Sequence, residues 1–304
     1  MNNNSISFFI PAYNCEKWIE EAVDSIIQTN FSEGDELIIV NDCSQDNTEQ
    51  KLLYLINEKY AGKNIKLINH KINMGGGAAR NTAVYNSSNN ILFCLDSDNV
   101  LEQHSILKLK NFMLDNKFDI AAFGEIRFFL DGTQKDATTH SWVYKEPNFT
   151  LEDAFKTSKF PGASGNYMFT KKSWKDINGY LMNVSGLDTW SFGIRQLLAG
   201  FKMGCLKDTY YFHRHGMSNS YWCTFAQNYN PSLVALSVIF THIDKFNKKD
   251  VNYMLNKGRY TWFENLEQYP IRISIEQTDY LNKKISIKEF IVKLCNFMRG
   301  KIRL

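Results

Sequence analysis

The feature that most constrains the fold is an alternation in the first half of the chain. Short apolar runs (Ile6–Ile10, Leu37–Val40, Ile65–Ile68 and Ile91–Leu95) are separated by amphipathic stretches. That alternation is the signature of a parallel sheet covered by helices. Pro11 and Asn14 are expected to end the first strand, with Asn14 capping a helix whose residues Ile19, Ala22, Val23, Ile26 and Ile27 share one face. Asn47–Tyr60 reads as a helix with Leu52, Leu53, Ile56 and Tyr60 inward. In such sheets ligands bind beyond the carboxyl ends of the strands, and runs one, two and four all end there in polar residues.

With 304 residues, 44% of them apolar and 14% aromatic, the chain can bury one large core or two smaller ones. A formal net charge of +3 gives no field suited to nucleic acid, and no nucleic-acid partner is expected. The charge is uneven: Lys283, Lys284, Lys288, Lys293, Arg299, Lys301 and Arg303 face Glu289 alone after residue 280. The six cysteines form no CxxC pair, several lie in apolar runs, and apolar strand character begins at Ile6. These point to a reducing compartment and a cytoplasmic protein without a signal peptide or membrane span.

The second half is less regular. Ile120–Phe123 and Ile126–Leu130 read as two strands, Asp131-Gly132 as a hairpin turn, and Asp188–Ala199 as a helix. From Tyr221 onward the pattern turns helical.

Three polar segments follow apolar runs. In NDCSQDNT, Asp46, Asn47 and Thr48 suit a helix start, whereas Asp42, directly off the strand, suits hydrogen bonds from a base or ribose. NMGGGAARN combines glycines that admit close backbone approach with the forked donor of Arg80, although its spacing is neither GxGxxG nor GxxxxGK[ST]. In FCLDSDNV, Asp96 and Asp98 lie two apart, so an extended chain turns both carboxylates to one side, where a divalent cation such as Mn²⁺ or Mg²⁺ and a phosphate would complete a set of oxygen ligands. The competing reading has Asp98 or Asn99 capping a helix through His104–Met113.

Over roughly its first 220 residues the chain resembles family 2 glycosyltransferases. FFIPAYNCEKWIEEAVDSIIQTN is similar to that family's opening, NDCSQDNT to its DDGSxDxT, NMGGGAARN to its NxGxxxARN and CLDSDN to its FLDADD. The resemblance implies a GT-A (Rossmann-like) α/β fold, a mostly parallel sheet flanked by helices. It implies a catalytic domain over 1–220, with a nucleotide-binding half at 1–115 and an acceptor half at 116–220. Residues 221–304 would form a helical C-terminal region with a basic amphipathic tail. It further implies inverting transfer of a sugar from a nucleotide donor, UDP favoured, to a saccharide or lipid-linked acceptor, in cell-surface polysaccharide or glycoconjugate synthesis.

Carried over by position, the resemblance sets Pro11, Ala12 and Tyr13 beside the base and makes Asp42 the uracil partner. Arg80, Asp96 and Ser97 join the nucleotide-sugar contacts, and Asp98 ligates the metal. GLDTWSFGIR resembles the family's GxEDxxxxxR, which makes Asp188 the general base although Leu187 replaces the glutamate. PGASGNYMF resembles the acceptor-side segment and contributes Gly162 and Ser164. Asn41, Cys43 and Asn99 depart from the family pattern. In YYFHRHGMS, His213 and His215 share one side of a strand and Arg214 the other; His215 is a candidate for the metal shell, with a surface histidine cluster as the alternative. Trp174 is expected in the core and Trp190 on the pocket wall. The tail reads either as a helix on an anionic membrane surface or as one packed on protein. A sugar nucleotidyltransferase and a non-catalytic nucleotide- or sugar-binding module are the alternative functions.

Overall fold

The computed structural model describes residues 4–144, 146–156, 160–182 and 188–217. In chain order its elements are β1 (Ile6–Ala12), α1 (Ile19–Ile27), β2 (Glu36–Asn41), α2 (Thr48–Tyr54), β3 (Ile65–Asn69), α3 (Gly76–Tyr85), β4 (Ile91–Cys94), β5 (Val100–Leu101) and α4 (Ser105–Asp115). They continue with β6 (Ile120–Leu130), β7 (Thr138–Val143), β8 (Asn148–Phe149), α5 (Leu151–Lys156), α6 (Pro161–Ser164), β9 (Met168–Thr170), α7 (Lys171–Asp176), α8 (Asp188–Leu198) and β10 (Met203–His215). The chain divides into two compact units, Met1–Phe149 with Lys159–Tyr229, and Thr150–Ser158 with Asn230–Leu304. Of the second unit α5 is the described element; the helical region and basic tail expected from residue 221 onward lie outside the described residues.

The strands form one sheet in the order β3-β2-β1-β4-β9-β6-β10-β5, with β7 added to β6 and β8 to β10. Strands β3, β2, β1 and β4 are mutually parallel, as the apolar runs predict. Beyond β4 the sheet is mixed: β9 is antiparallel to both β4 and β6, while β10 runs parallel to β6. The parallel expectation therefore holds for β3-β2-β1-β4 and for the β6-β10 pair, and the pairings made by β5, β7, β8 and β9 are antiparallel. β2 and β4 are buried at every position, as strands covered on both faces must be. Phe8, Phe93 and Phe123 form a run of ring contacts at about 6 Å spacing across the sheet.

Several local expectations change. Pro11 does not end β1, which continues to Ala12, because a proline at a strand end forfeits little of the ladder. Asn14 does not cap α1. It sits at φ 48° and its side chain accepts from the Gln45 amide, tying the β1 end to the β2 end. The α1 stripe is buried as predicted. After α2 the helix widens into a π turn over Leu55–Lys59, which brings Leu55 inward beside Leu52 and leaves Leu53 44% exposed. The two strands expected at 120–123 and 126–130 are one, since Gly124 stays in the ladder where a side chain would strike the Leu206 carbonyl at 2.7 Å. Asp131-Gly132 does turn the chain, within a longer loop closed by the Thr133 amide on the Leu130 carbonyl.

Candidate active site

Register brings the polar residues to one end of the sheet. Ala12 pairs with Asn41, and Asn41 with Asn69, so β1, β2 and β3 finish level. The Leu95 amide still bonds to Phe9, after which the chain leaves the sheet carrying Asp96, Ser97 and Asp98. Tyr13 is exposed at the end of β1, Pro11 is half-buried and Ala12 buried.

Asp42 is almost wholly buried and its carboxylate is fully engaged. It accepts from the backbone N–H of Met74 at 2.9 Å and of Gly75 at 2.7 Å, and lies 2.6 Å from His70 Nδ1. It thus shapes the glycine turn from across the sheet. Gly75 takes φ 85°, a conformation that disfavours any side chain, and hands the chain to α3. Gly76 and Gly77 are needed for space instead. A Cβ on Gly77 would lie 2.3 Å from the Leu181 carbonyl and 3.3 Å from Asp188 Cβ. The glycines let α3 approach the start of α8.

One turn into α3, Arg80 joins two of the predicted acids. Its Nη1 donates to Asp188 Oδ2 at 2.6 Å and its Nη2 to Asp96 Oδ1 at 2.5 Å. Burial disfavours its charge, yet the two carboxylates hold its pKa well above the ordinary value. Arg80, expected as a nucleotide contact, bridges Asp188, the candidate base, and Asp96. Asp188 stands at the first residue of α8.

A residue that the sequence reading missed fixes Asp96. Asn166 accepts from the Asp96 amide at 2.7 Å and donates to Asp96 Oδ2 at 3.0 Å and to the Ser164 carbonyl at 2.7 Å. It sits within PGASGNYMF, and its amide beside small residues is the signal that was there to be read. Asp98 is half-buried; burial first, and then the Asp96 carboxylate, push its carboxyl up to about 7. The expectation that Asp98 or Asn99 caps α4 fails: α4 starts behind His104, which is left-handed and gives no side-chain cap. Asn99 instead accepts from the Arg214 amide at 3.1 Å and lies 3.2 Å from His213 Nδ1. Burial pushes the His213 imidazole down to about 4, so at neutral pH it is uncharged and its Nδ1 accepts from the Asn99 amide.

Other expectations are redistributed. His215, a candidate metal ligand, lies on Thr139 Oγ1 at 2.8 Å and in ring contact with Phe128 and His140. Among the described residues no group of three acids, histidines or cysteines could hold a metal. Ser97 meets the buried Cys15 thiol, which burial pushes up to about 11. Gly162 is no pocket lining. It packs on Gly193, where a Cβ on either would meet the other's Cα within 3 Å, so the pair is the crossing point of α6 and α8. Ser164 is buried, and its hydroxyl donates to the Pro161 carbonyl at 2.8 Å. The two tryptophans exchange roles. Trp190 is 1% exposed because α8 is buried almost all round, whereas Trp174 borders a surface cavity of about 540 Å³ with Asn81, Tyr85 and Asn178. Leu187 lies outside the described residues. Arg195, at the end of the same motif, donates to the Ile177 and Gly179 carbonyls and anchors the segment ahead of α8.

An open α/β sheet with a glycine turn and gathered carboxylates beyond its parallel strand ends is the GT-A arrangement, and solved structures agree. Staphylococcus aureus TarS 1–349 in complex with UDP-GlcNAc superposes with a TM-score of 0.62 at 21% identity, over 78% of this chain and 65% of that one. Residues 7–177, more than half of the chain, match the family described as Glycosyl transferase family 2, and the chain belongs to that family. Among curated relatives, the poly(ribitol-phosphate) beta-glucosyltransferase of Bacillus spizizenii is 36% identical over 117 residues, 38% of this chain and 18% of that protein. The UDP-Glc:alpha-D-GlcNAc-diphosphoundecaprenol beta-1,3-glucosyltransferase WfgD of Escherichia coli is 32% identical over 116 residues, 36% of this chain and 44% of that protein. The hyaluronan synthase of Pasteurella multocida is 26% identical over 98% of this chain, which spans 30% of it. The chain thus spans less than half the length of each of these curated relatives.

Proposed function

We propose that the protein transfers a sugar from a nucleotide sugar, UDP-linked, to an acceptor hydroxyl with inversion, in the synthesis of a cell-surface polysaccharide or glycoconjugate. The observation that carries this reading is the Arg80 bridge, which gathers Asp96 and Asp188 from two distant parts of the chain at the strand ends. The matched relatives act on poly(ribitol-phosphate) and on a diphosphoundecaprenol-linked sugar, which supports a saccharide or lipid-linked acceptor.

In this reading Tyr13 and Asp42 flank the base, one Asp42 hydrogen bond opening to receive it. Asp188, held through Oδ2 by Arg80, takes the acceptor proton as the hydroxyl oxygen attacks the anomeric carbon. Asp96 and Asp98 fit a hard divalent cation, Mn²⁺ or Mg²⁺: a carboxyl driven toward its neutral form by burial and by a neighbouring carboxylate is one that a cation would relieve. When bound, such an ion would offset charge growing on the leaving diphosphate. Asn166 keeps Asp96 aimed, and Arg80 carries the positive charge between the two acid groups.

Hydrolysis and transfer assays with a panel of nucleotide sugars and Mn²⁺ test the reading, with thermal shifts by UDP, GDP and dTDP as the first step. UDP alone should raise the melting temperature and one UDP-sugar should be consumed; stabilisation by none of the three nucleotides would sink the proposal. For the basic tail, which lies outside the described residues, we favour packing on protein over membrane contact. Flotation with anionic liposomes that is lost when the chain is cut before Leu281 would reverse that preference.

A further inference from the structure

We propose that Arg214 is a positioning residue that holds the acidic loop Asp96–Asn99 in the shape that receives a cation. The inference rests on the reading of Asp96 and Asp98 as the cation-binding pair. Arg214 lies near the end of β10, on the opposite side of the strand from His213 and His215, and is 6% exposed. Its Nε donates to the Asp98 carbonyl at 3.1 Å and its backbone N–H to Asn99 Oδ1 at 3.1 Å. Its remaining arms reach away from the site, Nη1 to Asp131 at 3.3 Å and Nη2 to Glu21. The guanidinium also lies 4.5 Å from the centre of the Phe129 ring.

One side chain thus ties the backbone of the acidic loop to α1, to the turn after β6 and to β10. Asp131 is itself held by the Trp18 indole at 2.8 Å and by its own amide on the His215 carbonyl at 2.8 Å. With Asn99 spanning Arg214 and His213, the loop is stitched to β10 at successive residues. The task needs a planar fork. Three acceptors lie in three directions, and a lysine ammonium on its flexible stem cannot hold them together. The two anchoring carboxylates are partly open to water, with 47% of the Glu21 side chain and 31% of the Asp131 side chain exposed, so losing the arginine leaves them solvated rather than buried and unpaired.

The test is calorimetric titration of the full chain with UDP, once with saturating Mn²⁺ and once with EDTA. The variants are Arg214→Met, Arg214→Lys and the double change Glu21→Gln with Asp131→Asn, with melting temperatures recorded alongside. In Arg214→Met the gain in UDP affinity conferred by Mn²⁺ should fall by about tenfold or more, while affinity in EDTA stays unchanged. Arg214→Lys should recover part of the gain. The double variant keeps the arginine but frees its outer arms, and it should move in the same direction even if Arg214→Met fails to fold. A folded Arg214→Met that keeps the full gain, or one that loses UDP affinity equally in Mn²⁺ and EDTA, would overturn the proposal. If the unaltered chain gains nothing from Mn²⁺, the reading of the acidic pair itself fails and this inference falls with it.

Discussion

Asp188 and Asp96 hang from one guanidinium, so replacements at the three positions should separate chemistry from binding. Asp188→Asn keeps an oxygen for Arg80 but cannot take a proton. Transfer should fall by about 10²- to 10⁴-fold while UDP affinity, read by calorimetry, stays nearly constant. Normal turnover in that variant would remove Asp188 as the base. Asn166→Ala strips the Asp96 amide of its buried acceptor. It should cost about 1–3 kcal/mol in urea denaturation and weaken UDP binding, because Asp96 loses a partner on its carboxylate as well. At this scale the sequence was uneven. Asp42, Asp96 and Asp98 stood out because they come straight off apolar runs, and Asp188 because GLDTWSFGIR resembles the family's GxEDxxxxxR. Asn166 did not, and Arg214 stood out only beside His213 and His215, since what an amide or a buried arginine touches depends on strands far away in the chain.

At the scale of elements, two close approaches decide where the acids sit. Gly77 lets α3 meet the segment leading to α8, and the Gly162–Gly193 pair lets α6 cross α8. Gly77→Ala has no flexible neighbour to push aside, because the obstacle is the Leu181 carbonyl. It should lower stability by about 1–3 kcal/mol and separate Arg80 from Asp188, so activity should fall further than the melting temperature suggests. The glycine run was visible in the sequence, though it read as a place for a ligand. In the fold, Gly75 serves a backbone conformation and Gly77 serves packing. The parallel strands were legible because their runs are mostly apolar, interrupted only by Ser7 in the first and Lys66 in the third. The π turn after α2 was not, since a helix that gains one residue shifts its buried face without changing its composition. Trp190 was misplaced for a related reason: α8 has a polar stripe, Asp188, Ser191 and Arg195, but Ser191 and Arg195 are buried as well, so the stripe does not mark a solvent side.

At the scale of the whole molecule, the acidic pair makes stability depend on pH. The Asp98 carboxyl is raised to about 7 from an ordinary value of 3.8. The native chain therefore holds a proton that the unfolded chain has released, and this group's contribution falls as pH rises from about 4 to about 7, then stays level. Asp98→Asn should accordingly melt higher than the unaltered chain near pH 8, by at least about 2 °C, and no higher near pH 4. Added Mn²⁺ should stabilise the unaltered chain near pH 8 and leave the variant unmoved. An equal melting temperature for both chains near pH 8 would show that neither burial nor the Asp96 carboxylate raises the Asp98 carboxyl in the native protein.

Strand β10 sits between β6 and β5, and it enters the sheet after every acid of the DxD segment has already been made. A nascent chain that has left the ribosome only as far as β8 carries Asp42 with its partners His70, Met74 and Gly75, and Asp96 with Arg80, but lacks Asn166, Asp188 and Arg214. Such a chain owns the acids with only part of their arrangement. Competence to hold a donor should therefore wait until β10 is made, when Arg214 and Asn99 lock the loop that Arg80 and Asn166 have already begun to fix.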